Sequence, residues 1–67
     1  MQVRINGEDK SFPDEKLKIS TLLERIEVSN DRVATMVNGE IVKKPDRGHR
    51  LLSDGDEIEL LTFAGGG

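Results

Sequence analysis

The chain has 67 residues, ten basic against thirteen acidic for a formal charge of −3, two phenylalanines as its only aromatics, and no cysteine. A domain this short buries only about 60% of the surface its unfolded chain exposes, which leaves room for one simple core and no large catalytic cleft. The negative balance is the wrong sign for neutralising phosphates, so no nucleic-acid partner is expected; the missing thiols exclude disulfides, thiolate metal sites and a persulfide on the chain itself.

In chain order, the opening MQVRINGEDK alternates apolar and polar residues, with Val3 and Ile5 on one side and Gln2 and Arg4 on the other. That is the two-residue period of a half-buried strand, without the continuous apolar run of a signal peptide or membrane span, so a cytoplasmic protein with no membrane partner is expected. Asn6-Gly7 has the chemistry of a tight hairpin turn, EDKSF returns as the partner strand, and Pro13-Asp14 closes the hairpin. From Ile19 the period changes. Ile19, Leu22, Leu23 and Ile26 recur at helical spacing on one face, Ser20 or Thr21 is the expected cap, Thr21 with Glu24 fits a capping box, and Ser29-Asn30-Asp31 is the expected end.

VATMVNGEIV repeats the hairpin grammar, with Val33, Thr35 and Val37 on one side, a second Asn-Gly at Asn38-Gly39, and Ile41-Val42 returning. KKPDRGHR reads as a loop, Ser53 to Asp56 as a turn, and EIELLTF as the last strand. One amphipathic helix needs one sheet face to cover it, so the expected class is α+β: a mixed sheet of about five strands packed on one helix. This arrangement resembles the β-grasp, or ubiquitin-like, fold. The resemblance, not periodicity, implies that the last strand lies mid-sheet and parallel to the first.

The last strand breaks its own parity. Ile58 and Leu60 alternate with Glu57 and Glu59, but Leu61 and Phe63 then fall on the glutamates' side, where Met36 joins them if Val33 and Val37 point inward. Met36, Leu61 and Phe63 are therefore the candidate partner-binding surface. No conventional catalytic set or metal site assembles: His49 is alone, Asp54 and Asp56 flank a turn glycine, and Lys43, Lys44, Arg47 and Arg50 read as a solvated charge run able to meet an acidic partner.

Residues 1–63 make the expected domain and 64–67 a flexible glycine tail. Gly65, Gly66 and Gly67 have no β-carbon to clash with a narrow channel, and with Ala64 they reach about 13 Å at about 3.3 Å per residue. The Gly67 carboxylate is then the one reactive group that is both unique and deliverable.

VRINGE, VATMVNGEIV and LLSDGDEIELLTFAGGG together resemble the ThiS family, the sulfur carriers of thiamine biosynthesis within the ThiS/MoaD ubiquitin-like superfamily. The resemblance covers essentially the whole chain. It implies a protein cosubstrate, not an enzyme, with no bound cofactor. A ThiF-like adenylating enzyme would use ATP to adenylate Gly67, a sulfur donor protein would supply the sulfur that makes a thiocarboxylate, and thiazole synthase would receive it. Two departures bear on partner choice: the loop lacks a tryptophan that many relatives carry, and Met36 stands where an acidic residue is frequent. The alternatives are the small subunit of molybdopterin synthase, which tends to carry prolines where this chain has Leu61-Thr62-Phe63, and a ubiquitin-like modifier or interaction module.

Overall fold

The computed structural model describes residues 1–63; the expected tail, with Gly65, Gly66 and Gly67, lies outside the described residues. In chain order the elements are β1 (Gln2–Ile5), β2 (Glu8–Ser11), β3 (Leu17–Lys18), α1 (Ile19–Arg25), β4 (Val33–Val37), β5 (Glu40–Val42), β6 (Leu51–Leu52) and β7 (Glu57–Thr62), with single 3-10 turns at Asn30–Arg32 and Lys44–Asp46. Both Asn-Gly pairs form the turns their chemistry predicts. Asn6 and Gly7 have φ of 49° and 83°, Asn38 and Gly39 have 50° and 86°, and each pair links antiparallel strands through a two-residue loop. Two successive left-handed residues match the twist of the flanking strands, and asparagine and glycine tolerate that region best.

The main sheet has the order β2-β1-β7-β4-β5, with β1 and β7 parallel and the other neighbours antiparallel. The last strand is thus central, as the β-grasp resemblance implied. Val3, Ile5, Val33, Val37, Ile58 and Leu60 point to one side and form a single buried cluster with Ile19, Leu22 and Leu23 of α1. Burying each such side chain contributes about 1.5–3 kcal/mol. Thr35 shares this inner face, and its hydroxyl donates to the Val42 carbonyl at 2.8 Å, so the buried polar group is satisfied.

The helix is shorter than its periodicity suggests, and neither expected boundary holds. Lys18 stands at the N-cap with no side-chain cap bond, so the Ser20, Thr21 and Thr21–Glu24 caps do not form. Loop carbonyls replace them: Ile19 N–H donates to Arg50 C=O and Ser20 N–H to Arg47 C=O, both at 3.1 Å. At the other end Glu27 has φ of 60°, with Val28 N–H donating to Leu23 C=O at 2.9 Å and Glu27 N–H to Glu24 C=O at 3.2 Å. This is a Schellman ending with glutamate where glycine is usual, and it stops the helix before Ser29. Ile26 and Val28 still pack on the core as half-buried residues after the helix. On the helix side of the molecule, Arg25 hydrogen-bonds both oxygens of Asp14, at 2.5 and 3.0 Å, and holds that carboxyl below its ordinary range.

Leu51 and Leu52 also form a strand that the sequence pattern does not announce. Paired with Leu17 and Lys18, they make a two-stranded ribbon that places Leu17 and Leu52 in the core. The charge run before them is not uniformly solvated. Lys44 is ion-paired with Asp31, while Arg47 is only 5% exposed and its guanidinium donates to Asn30 C=O at 2.6 Å, Asn30 Oδ1 at 2.9 Å and Val33 C=O at 2.7 Å. Its carbonyl meanwhile caps α1, so one residue joins the helix start, the 3-10 turn and the first residue of β4.

Replacing a buried charge by an apolar side chain is often harmless when its partner is replaced too, but the partners here are backbone carbonyls that would stay behind unpaired. Arg47→Met is therefore expected to lower unfolding stability by about 3 kcal/mol, read from the urea midpoint. A midpoint equal to that of the native chain would show that these carbonyls find other donors.

Candidate functional site

The outer face of the sheet, away from α1, divides along β7. Its first half is charged: Arg4 lies 3.3 Å from Asp9 and 3.9 Å from Glu57. Its second half is apolar. Leu61 is 64% exposed and Phe63 60%, which confirms the parity break, and the register sets Ala34 opposite Leu61 and Met36 between Glu59 and Ile41. Met36 is half-buried, and with Ala34, Thr35, Ile41, Glu59 and Leu61 it lines a shallow depression of about 90 Å³. The structure thus brings Met36 and Leu61 together, with the exposed Phe63 just beyond the end of β7.

Ile41 is the member that sequence reasoning missed. At 72% it is the most exposed large apolar residue in the described part of the chain. A signal was available: a two-residue turn at Asn38-Gly39 pairs Val37 with Glu40 and hence Met36 with Ile41, which sends Ile41 outward with Met36.

A second missed feature is what the turn asparagines do beyond turning. Asn38 N–H donates to Glu57 C=O at 2.8 Å, its side-chain oxygen accepts from Glu57 N–H at 2.9 Å, and its amide nitrogen donates to Asp56 Oδ1 at 3.0 Å. On the other flank, the Asn6 carboxamide accepts from Leu60 N–H at 2.8 Å and donates to Leu60 C=O at 3.1 Å. Each asparagine stands in for a strand residue at the point where its own strand has turned away. β7 is therefore held from both sides up to Leu60, immediately before Leu61 and Phe63.

The remaining candidates take structural roles. Asp54 accepts from Gln2 N–H at 2.7 Å, and Asp56 accepts from Ser53 N–H at 2.8 Å, which ties the turn before β7 to the start of β1. His49 is an exposed turn residue whose N–H donates to Asp46 C=O. Among the described residues no helix is long and apolar enough to cross a membrane, and no three His, Asp or Glu side chains converge as metal ligands.

Comparison with known proteins places this geometry. The ThiS family model matches residues 2–67. The chain belongs to the ThiS family. It is 30% identical to the thiamine biosynthesis protein (ThiS) from Geobacter metallireducens, whose crystal structure it matches with a TM-score of 0.87 over the whole of both chains. The solution structure of a thiamine biosynthesis protein from the same organism gives a TM-score of 0.83, covering all of this chain and 88% of that one. A thiazole synthase of Paramagnetospirillum magneticum is 36% identical over 67 residues, so this ThiS-family chain spans only 20% of that relative's length. The ycf40 protein of Porphyra purpurea is 27% identical over 93% of its length.

In this ThiS-family chain the Asn6 carboxamide is the last tie between β7 and the β1 side. Asn6→Ala should leave the Leu60 N–H and C=O unpartnered, speed hydrogen exchange at Leu60 and lower stability by about 1–2 kcal/mol. Unchanged protection at Leu60 would show that pairing with β4 suffices to hold the strand.

Proposed function

We propose that this chain is a sulfur carrier. The Gly67 carboxylate attacks the α-phosphate of ATP on a ThiF-like adenylating enzyme, pyrophosphate leaves, and hydrosulfide released from a sulfur donor protein then displaces AMP to give a thiocarboxylate. Thiazole synthase takes the sulfur for the thiazole of thiamine. The carrier binds no cofactor of its own in this scheme, and ATP belongs to the activating enzyme. A carboxylate is a poor acyl donor until AMP makes it a good leaving group, and a chain without cysteine has to carry sulfur on its backbone terminus.

The observation that carries this reading is the course of β7. It is clamped at the centre of the sheet, turns Leu61 outward beside Met36 and Ile41, and is followed by the exposed Phe63, with Ala64 and the three glycines next in sequence. A partner that grips Met36, Leu61 and Phe63 would be aligned on the strand that delivers Gly67. Membership of the ThiS family supports the pathway, and a thiazole synthase with a segment similar to this chain supports thiazole synthase as the acceptor.

Incubation with the activating enzyme, ATP and a sulfur source should add to the intact mass the difference between one sulfur and one oxygen. Removing Gly67 shortens the reach by about 3.3 Å, and a misplacement of about 1 Å costs about a hundredfold, so the truncated chain should acquire sulfur far more slowly. Equal uptake by both chains, or none by the native one, contradicts the proposal.

The docking surface has its own test. Phe63→Ala is expected to weaken binding of the activating enzyme by about 2 kcal/mol in titration calorimetry, with little change in stability because the ring is exposed. Native-like affinity would remove Phe63 from the surface.

A further inference from the structure

The chain has two sulfur atoms, those of Met1 and Met36, and no thiol to compete with them for an oxidant. The fold gives the two different surroundings. Met1 packs against the core cluster. Met36 alternates with the buried Thr35 and Val37, stands opposite Glu59 on one side and Ile41 on the other, and lines the shallow depression of the outer face. That depression holds about 90 Å³, and a water takes roughly 30 Å³ in the liquid, so a peroxide molecule fits beside the Met36 side chain.

What the lining lacks is a donor. Ala34, Ile41 and Leu61 have no polar side-chain atom, the Glu59 carboxylate only accepts, and the Thr35 hydroxyl is committed to the Val42 carbonyl at 2.8 Å. A thioether suits such surroundings, because its sulfur is polarizable and asks for no hydrogen bond. A sulfoxide does not. Its oxygen is a strong acceptor that water satisfies in the free chain, but a partner covering the depression has to bury it with no donor from this side.

We propose that Met36 is a reversible oxidation site, and that its conversion to the sulfoxide by hydrogen peroxide weakens docking of the activating enzyme on the outer face. The inference rests on the sulfur-carrier reading, with Met36 as part of the docking surface. In the reaction the thioether sulfur attacks one peroxide oxygen and the O–O bond breaks. The departing hydroxide takes the proton from the transferred oxygen and leaves as water. Sulfur is thereby oxidised by two electrons and the peroxide reduced by two. The fold survives the change, because Val33, Thr35 and Val37 of the same strand hold the inner face while Met36 stays outside the core cluster. Oxidation therefore halts activation of the carrier without unfolding it, and the reductases that return each sulfoxide epimer to the thioether restart it.

The test is titration calorimetry with the activating enzyme, before and after peroxide treatment of the chain not yet loaded with sulfur. The intact mass should rise by one oxygen, and peptide mapping should find that oxygen on Met36 ahead of Met1. Affinity should then fall about tenfold, the loss expected when one acceptor is buried unpaired, with the amide spectrum of the free chain preserved. Reduction by both methionine sulfoxide reductases should restore the original affinity. Met36→Leu conserves volume and removes the sulfur, so peroxide should leave that variant's own affinity, whatever its value, unchanged. The proposal is overturned if Met1 is oxidised first, if the oxidised chain binds as the untreated one does, or if Met36→Leu loses as much affinity to peroxide. In each of these cases sulfur uptake by the untreated chain leaves the carrier reading intact. If the untreated chain takes up no sulfur, the carrier reading fails and this inference fails with it.

Discussion

A strand at the centre of a sheet must find hydrogen-bond partners on both sides, because a buried N–H or C=O left alone costs about 1–3 kcal/mol. β7 is under that constraint, and its neighbours do not match its length. β4 runs beside it from Ile58 to Thr62, and β1 accompanies only its first residues, with Arg4 opposite Glu57 and Ile5 opposite Ile58. The shortfall is made good by side chains, Asn6 at Leu60 and Asn38 at Glu57. The same device recurs one strand over, where β5 has ended and the Arg47 guanidinium takes the Val33 carbonyl. Three polar side chains thus complete a backbone network that five short strands leave unfinished.

Economy of this kind suits a chain with a small core. The asparagine of each turn acts twice, since the left-handed φ that makes the hairpin also carries the carboxamide to β7. Arg47 acts twice as well, through its guanidinium and its carbonyl, and so the loop that contains it ends the sheet and starts the helix together. A helix of seven residues is marginal alone. Its stability comes from the three residues it buries and from the loop carbonyls that meet its first amides.

The two faces of the sheet have different physical roles. The inner one is covered by α1 and excludes water, while the outer one carries charge on its first half and Met36, Ile41, Leu61 and Phe63 on its second. An open depression of about 260 Å³ lies among Gln2, Arg4, Asp9, Asp54 and Glu57, at the end of β7 remote from Phe63. Leu61 and Phe63 lie at the other end. They follow a stretch of β7 whose backbone is fixed on either side up to Leu60.

Much of this molecule is local chemistry, and local chemistry is legible in a sequence. Asn-Gly twice, alternation in QVRI and VATMV, and helical spacing from Ile19 led to the two hairpins and the helix, and the parity break at Leu61 and Phe63 marked the exposed face correctly. The central place of β7 came from family resemblance, because pairing between Ile5 and Ile58 joins residues far apart in the chain and leaves no periodic trace. For the same reason the helix ends were misplaced: its amides are met by carbonyls of Arg47 and Arg50, which no pattern near Ile19 announces. Arg47 shows the limit most sharply. A run of Lys and Arg reads as solvated, and only the packed structure decides that one of those cations is buried, because the carbonyls of Asn30 and Val33 converge on it from segments that the sequence keeps apart.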